Sequence, residues 1–125
     1  MKQKISKLCD LIDNELNNIT ELIAFKIGKT SDLENRESKY FFDGFTDFNE
    51  IAKGTAETIN YVERELIKHF KEVSIHRDKC ENEIEGGGPS DKANLLYIAV
   101  KCNVNSIDEL YDDIFISNEL PIELD

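Results

Sequence analysis

A carboxylate that a helix turns toward its own apolar face must find a cation or a donor, and this sequence places one there. Thr55 can cap a helix running through about Glu72. At about 100° per residue, Ile59, Val62, Leu66, Phe70 and Val73 share one face, bordered by Ala56 and Ile67. Glu63 falls inside that face, whereas Glu57, Glu65 and Glu72 point away from it. A buried carboxylate is costly unless it is paired. Glu63 is therefore either half of an ion pair with Arg36 or Lys26, or a metal ligand or acid-base group in a cleft. Arg36 stands one turn after Leu33 and about one turn before Tyr40, at the edge of another helix's inner face. Its guanidinium is either simply exposed or positioned to grip a phosphate through two parallel hydrogen bonds.

Three segments occur in a suggestive order. They are Phe25-Lys26-Ile27-Gly28-Lys29-Thr30, then Ser31-Asp32-Leu33-Glu34-Asn35-Arg36, then Glu63-Arg64-Glu65-Leu66-Ile67-Lys68-His69-Phe70. Together they resemble the core of a GIY-YIG endonuclease domain, most closely its viral and phage branch. The family's strand ends Tyr-x-Ile-Gly followed by Lys or Arg and Thr; a helix with an Arg comes next, and a later helix reads Glu-x-x-Leu-x-x-x-Phe. The resemblance implies metal-dependent cleavage of nucleic-acid phosphodiesters. By the family's roles, Glu63 would hold a divalent Mg²⁺ or Mn²⁺ and Arg36 would stabilise the phosphate, with Lys26 and Lys29 beside it.

Two departures from the pattern matter. Phe25 replaces the tyrosine of the Tyr-x-Ile-Gly motif, and Glu21-Leu22-Ile23-Ala24 stands where a Gly-Ile-Tyr strand belongs. The strand predicted at Leu95 to Val100 can fill that vacancy. If it pairs beside residues 22–27, Tyr97 takes the place of the first catalytic tyrosine in a permuted version of the fold. Otherwise Tyr97 is a core aromatic. Asn82 and Gly87 are further candidates, because a glycine run lets backbone amides approach a phosphate; the same run also reads as a flexible turn. His69 is rotated away from the inner face and His76 lies beyond the helix end. The rival function is a non-catalytic protein that uses Lys29, Arg36 and the glycine loop to hold a nucleotide-like ligand or a partner protein. A phage or mobile-element inhibitor of a host factor belongs to that class.

These residues need a scaffold. The periodicity predicts a helix over residues 3–16, ended by Asn17-Asn18, and a strand over 20–28 closed by Gly28. A capping box at Ser31 to Glu34 starts a helix from Asp32 to about Tyr40. A strand is expected near 47–52, the long helix follows, then a loop over 76–93, a strand over 94–101, and a helix from Ser106 to about Ile116. The remainder after Ile116, with its Pro121, is expected to be mobile. The fold class is α/β: a small, mostly antiparallel sheet flanked by helices, with residues 1–102 as the GIY-YIG-like domain and 103–125 as an acidic helix and tail.

With 125 residues the chain is one domain's worth. Hydrophobic residues make up 40% and charged residues 33%, as in ordinary globular proteins. No run approaches the ~18 apolar residues of a membrane span, and Met1 to Asn14 does not read as a signal peptide, so the cytoplasm is the expected location. Cys9, Cys80 and Cys102 are too few and too scattered for a disulfide framework. They read as packed thiols, with a His76–Cys80–Cys102 metal site as the sharper alternative. The net charge of −11 is unusual for a nucleic-acid binder. Seven of the acids lie between Asn103 and Asp125, with no Lys or Arg among them, which leaves −4 for residues 1–102. Such a tail is a solvated face, a surface for a basic partner protein, or a competitor with nucleic acid for the protein's own site.

Overall fold

The computed structural model describes residues 1–83, 88–103 and 118–125. Helix α1 (Lys2–Asn17) precedes strand β1 (Leu22–Thr30), helix α2 (Leu33–Phe42), strand β2 (Asp47–Lys53) and helix α3 (Ala56–Glu72). A 3-10 turn (Arg77–Lys79), strand β3 (Leu95–Cys102) and the two-residue strand β4 (Ile122–Glu123) complete the order. The expected helix from Ser106 lies outside the described residues. No helix among the described residues is long and apolar enough to cross a membrane.

The sheet runs β1-β3-β2-β4. Strand β3 is central, antiparallel to β1 and to β2, and β4 adds a short parallel pairing to β2. The two strongest strand signals of the sequence are thus neighbours, with Phe25 opposite Val100 and Gly28 opposite Tyr97. Side chains alternate between the faces of a strand. Phe25 and Ile27 of β1, with Leu96, Ile98 and Val100 of β3, enter the main core. Helix α1 meets them with Leu8, Ile12 and Leu16, and α3 with Ile59, Val62, Leu66 and Phe70. On the opposite face a smaller cluster of Phe48, Tyr97 and Ala99 is covered by Leu33 and Tyr40 of α2 and by Phe45.

Local signals account for most boundaries. Thr55 caps α3 by accepting from the Thr58 N–H, and the C-cap is Val73. Val73 is consequently exposed, not part of the inner face, because the helix ends before it. At α2 the cap is Asp32, one residue later than the capping box suggests; its carboxylate accepts from the Asn35 N–H at 3.2 Å. Gly28 does not close β1. The strand continues to Thr30, and Gly28 serves a different purpose described below.

The end of the chain departs most from expectation. Ile122–Glu123 joins the sheet at the edge away from β1, and Leu124 is buried in the main core. The Asp125 carboxylate then accepts from the Thr55 N–H at 2.9 Å and from the Thr58 hydroxyl at 2.7 Å. It supplies two acceptors to the start of α3, where backbone N–H groups lack intrahelical partners. Lys4 adds bonds to the Glu123 and Leu124 carbonyls. The segment past Pro121 is anchored rather than mobile.

Candidate phosphate-binding site

A cavity of about 560 Å³ opens at the C-terminal end of β1. Arg36, Tyr40, Lys29, Glu63 and Tyr97 all line it, together with Lys26 and Lys92. Four separate elements, α2, β1, α3 and β3, therefore deliver the charged and phenolic groups to one place.

Tyr97 gets there by crossing β1. Its ring lies over Gly28, and a Cβ at that position would overlap the phenolic oxygen and ring. Only glycine leaves the passage open, which explains a glycine inside a strand that continues past it. The ring stacks on Phe48 at 4.7 Å between centroids, and its hydroxyl meets that of Tyr40 at 3.1 Å. Tyr40 sits one helical turn after Arg36 on α2 and was not singled out from sequence as a site residue; its spacing from Arg36 is the signal that could have found it. Burial, and then the Tyr40 hydrogen bond, push the Tyr97 phenol far above the ordinary range, and the opposing pull of Arg36 is smaller. The phenol stays protonated and acts in this pocket as a hydrogen-bonding group, not as a standing base.

Glu63 is buried on the inner face of α3, as its helical position predicts. Its partner is neither Arg36 nor Lys26. The Lys29 ammonium donates to Glu63 Oε1 at 2.8 Å, with the two side chains only 10% and 5% exposed. Strand alternation is the reason: Lys29 has the same parity as Phe25 and Ile27, which face α3, while Lys26 faces the other way. Lys29 also donates to the Gly88 carbonyl. Asn60 of α3 fastens the same segment by donating to the Ser90 carbonyl at 2.7 Å and accepting from the Ser90 N–H at 3.1 Å.

Asn82 borders the cavity, but its side chain is committed elsewhere. Its amide oxygen accepts from the Ile27 N–H at 2.8 Å and its amide nitrogen donates to the Ile27 carbonyl at 2.6 Å. That pairs the outward-facing backbone groups of Ile27 on β1 and commits both ends of the Asn82 amide. Gly87 lies outside the described residues. Phe25, where the family pattern has a tyrosine, is fully buried edge-on to Phe70 at 5.6 Å, so the hydroxyls of this pocket come from Tyr97 and Tyr40 instead.

The described residues do not make a ready metal site. Glu63 already carries a cation at hydrogen-bond distance. Among the described residues no three His, Cys, Asp or Glu side chains gather closely enough to hold an ion. Cys9, Cys80 and Cys102 are buried free thiols, and His76 is bonded to Asn17 at 2.8 Å, so the His76–Cys80–Cys102 alternative does not form. His69 pairs with Asp13 at 2.8 Å, tying α3 to α1 away from the cavity. What the cavity does offer an anion is Arg36 with its planar fork of donors, flanking lysines and two phenols, set against the carboxylates of Glu63 and Glu83 in the same lining. Compared with known proteins, the chain matches no family model, no curated protein and no solved structure.

Proposed function

We propose that this cavity binds the phosphate of a nucleotide-like ligand or of a nucleic-acid strand. The observation that carries the reading is the gathering of four bases, Arg36, Lys26, Lys29 and Lys92, against two acids, Glu63 and Glu83, around one cavity in a chain of net charge −11. Arg36 suits two oxygens of a phosphate, and because the Tyr40 and Tyr97 hydroxyls bond to each other, one O–H of the pair remains as a neutral donor in the same cavity. The order of the three GIY-YIG-like segments supports the same class of ligand. Calorimetric titration with AMP and with a short single-stranded oligonucleotide tests the proposal. Binding should weaken with rising salt and fall about tenfold or more in Arg36→Ala, as loss of a charge-assisted contact implies. Wild-type protein that binds neither probe at low salt would refute it.

A second reading is phosphodiester cleavage. It is favoured by one observation: the paired tyrosine hydroxyls, Arg36 and Glu63 line the same cavity, as in the arrangement that the GIY-YIG resemblance implies. That reading requires Mg²⁺ or Mn²⁺ in addition to what the pocket's own residues carry. Nicking of supercoiled DNA that needs added metal and disappears in Tyr97→Phe and Arg36→Ala would support it.

A further inference from the structure

We infer that Lys29 is the resident cation of this pocket, occupying the place beside Glu63 that a divalent ion would need, so that phosphate binding here proceeds without metal. The inference rests on the phosphate-binding reading for its second half and on the Lys29–Glu63 geometry for its first.

Glu63 is the one carboxylate that α3 buries, and its Oε1 receives the Lys29 ammonium at 2.8 Å. An ammonium has three donors. One goes to Glu63 and one to the Gly88 carbonyl, which leaves one N–H for the cavity that Lys29 lines. A divalent ion could take Glu63 Oε1, the oxygen that Lys29 holds, only by displacing Lys29. Such a displacement would break a nearly dry ion pair, release the Gly88 tie, and add a divalent centre to a cavity that Arg36, Lys26 and Lys92 already line. A phosphate needs no such displacement. It can take the spare Lys29 donor and the Arg36 fork together, with Glu63 holding Lys29 in position. Glu63 is then a positioning residue, acting on the ligand through Lys29.

The test uses the full chain, Mn²⁺ as the metal probe and AMP as the phosphate probe. Mn²⁺ uptake is followed by loss of the free-ion electron paramagnetic resonance signal, and AMP binding by calorimetry in EDTA and in Mn²⁺. Wild-type protein should take up no Mn²⁺ at millimolar concentration. Lys29→Met, which frees Glu63, should acquire an Mn²⁺ site, and adding Glu63→Gln to it should remove that site again. AMP should bind equally well in EDTA and in Mn²⁺, and Lys29→Met should weaken it about tenfold in EDTA, as loss of one charge-assisted bond implies. Wild-type Mn²⁺ uptake that Glu63→Gln abolishes, or AMP binding that needs Mn²⁺, overturns the inference. Should Lys29→Met not fold, the wild-type and Glu63→Gln titrations decide the question unaided. If AMP binds under no condition the phosphate-binding reading fails, and the Mn²⁺ titrations still decide which cation belongs to Glu63.

Discussion

The phenolic oxygen of Tyr97 occupies the space that any side chain at Gly28 would need. The two residues face each other across the β1–β3 ladder, so the clash cannot be relieved by a small shift along the strand. Gly28→Ala should therefore destabilise the fold by about 1–3 kcal/mol, the usual cost of overpacking, even though alanine is ordinarily preferred to glycine inside a strand. Urea denaturation of Gly28→Ala, Tyr97→Ala and the double variant would show a coupling of about 0.5 kcal/mol or more. Simple additivity would show that Tyr97 does not need the passage.

The Lys29–Glu63 pair makes a separate thermodynamic prediction. Both side chains are nearly dry, so removing one partner strands the other. Lys29→Met should cost about 3–5 kcal/mol. Combining Lys29→Met with Glu63→Leu should recover most of that loss, because two apolar groups replace two charges. Denaturation midpoints of wild type and the two variants measure it. Equal stability of Lys29→Met and wild type would mean that Glu63 finds another partner.

Asp125 predicts a pH dependence. Hydrogen bonds from the Thr58 hydroxyl and the Thr55 N–H hold its carboxyl below the ordinary value of 3.8. A lowered folded-state value means that the contribution is present above the unfolded value and is lost as pH falls through the folded one. The Tm difference between wild type and Asp125→Asn should thus be constant at neutral and mildly acidic pH, then close below 3.8. A difference that persisted unchanged at the lowest pH would assign the effect to packing.

The acidic tail calls for a charge experiment, not a truncation. A chain cut at Asn103 would lose β4 and the buried Leu124, a side chain worth about 1.5–3 kcal/mol on burial. Glu119 and Glu123 pair with Lys7 and Lys53, and Asp125 caps α3, all away from the cavity. If the tail competes with nucleic acid, as the proposed function allows, the acids left to do so are Asp108, Glu109, Asp112 and Asp113, which lie outside the described residues. Changing those four to Asn or Gln should tighten oligonucleotide binding at low salt, with the gap narrowing as salt screens over about 8 Å at physiological strength. Equal anisotropy titrations at low salt would show that they do not compete.

Much of the site is legible in the sequence where one element decides it. The inward turn of Glu63 follows from a single helix, because Ile59, Val62 and Leu66 fix its face. The adjacency of residues 22–27 and 95–100 follows from two strong strand signals in a small sheet. The partner of Glu63 is harder, since it requires knowing which face of β1 meets α3. The parity of Lys29 with Phe25 and Ile27 contains that answer, but only once those two are assigned to the main core. Gly28 reads as a strand end because its reason for being glycine lies on another strand. A two-residue strand after Pro121 has no periodicity to read, and the role of Asn82 depends on meeting the backbone of Ile27, far away in sequence.

That last contact has a consequence for how the molecule behaves among its own copies. An outer strand with bare amide and carbonyl groups is a template for a second chain, and proteins that leave one open risk polymerising. Along β1 the Phe25 carbonyl accepts from the Glu81 N–H at 2.9 Å, and both backbone groups of Ile27 are taken by Asn82. One side chain thus does what a further strand would do, and it does so without offering a new edge in turn. Replacing Asn82 with alanine would leave both backbone groups of Ile27 unpaired, and the expected cost is both a less stable fold and a greater tendency to add neighbours and leave solution.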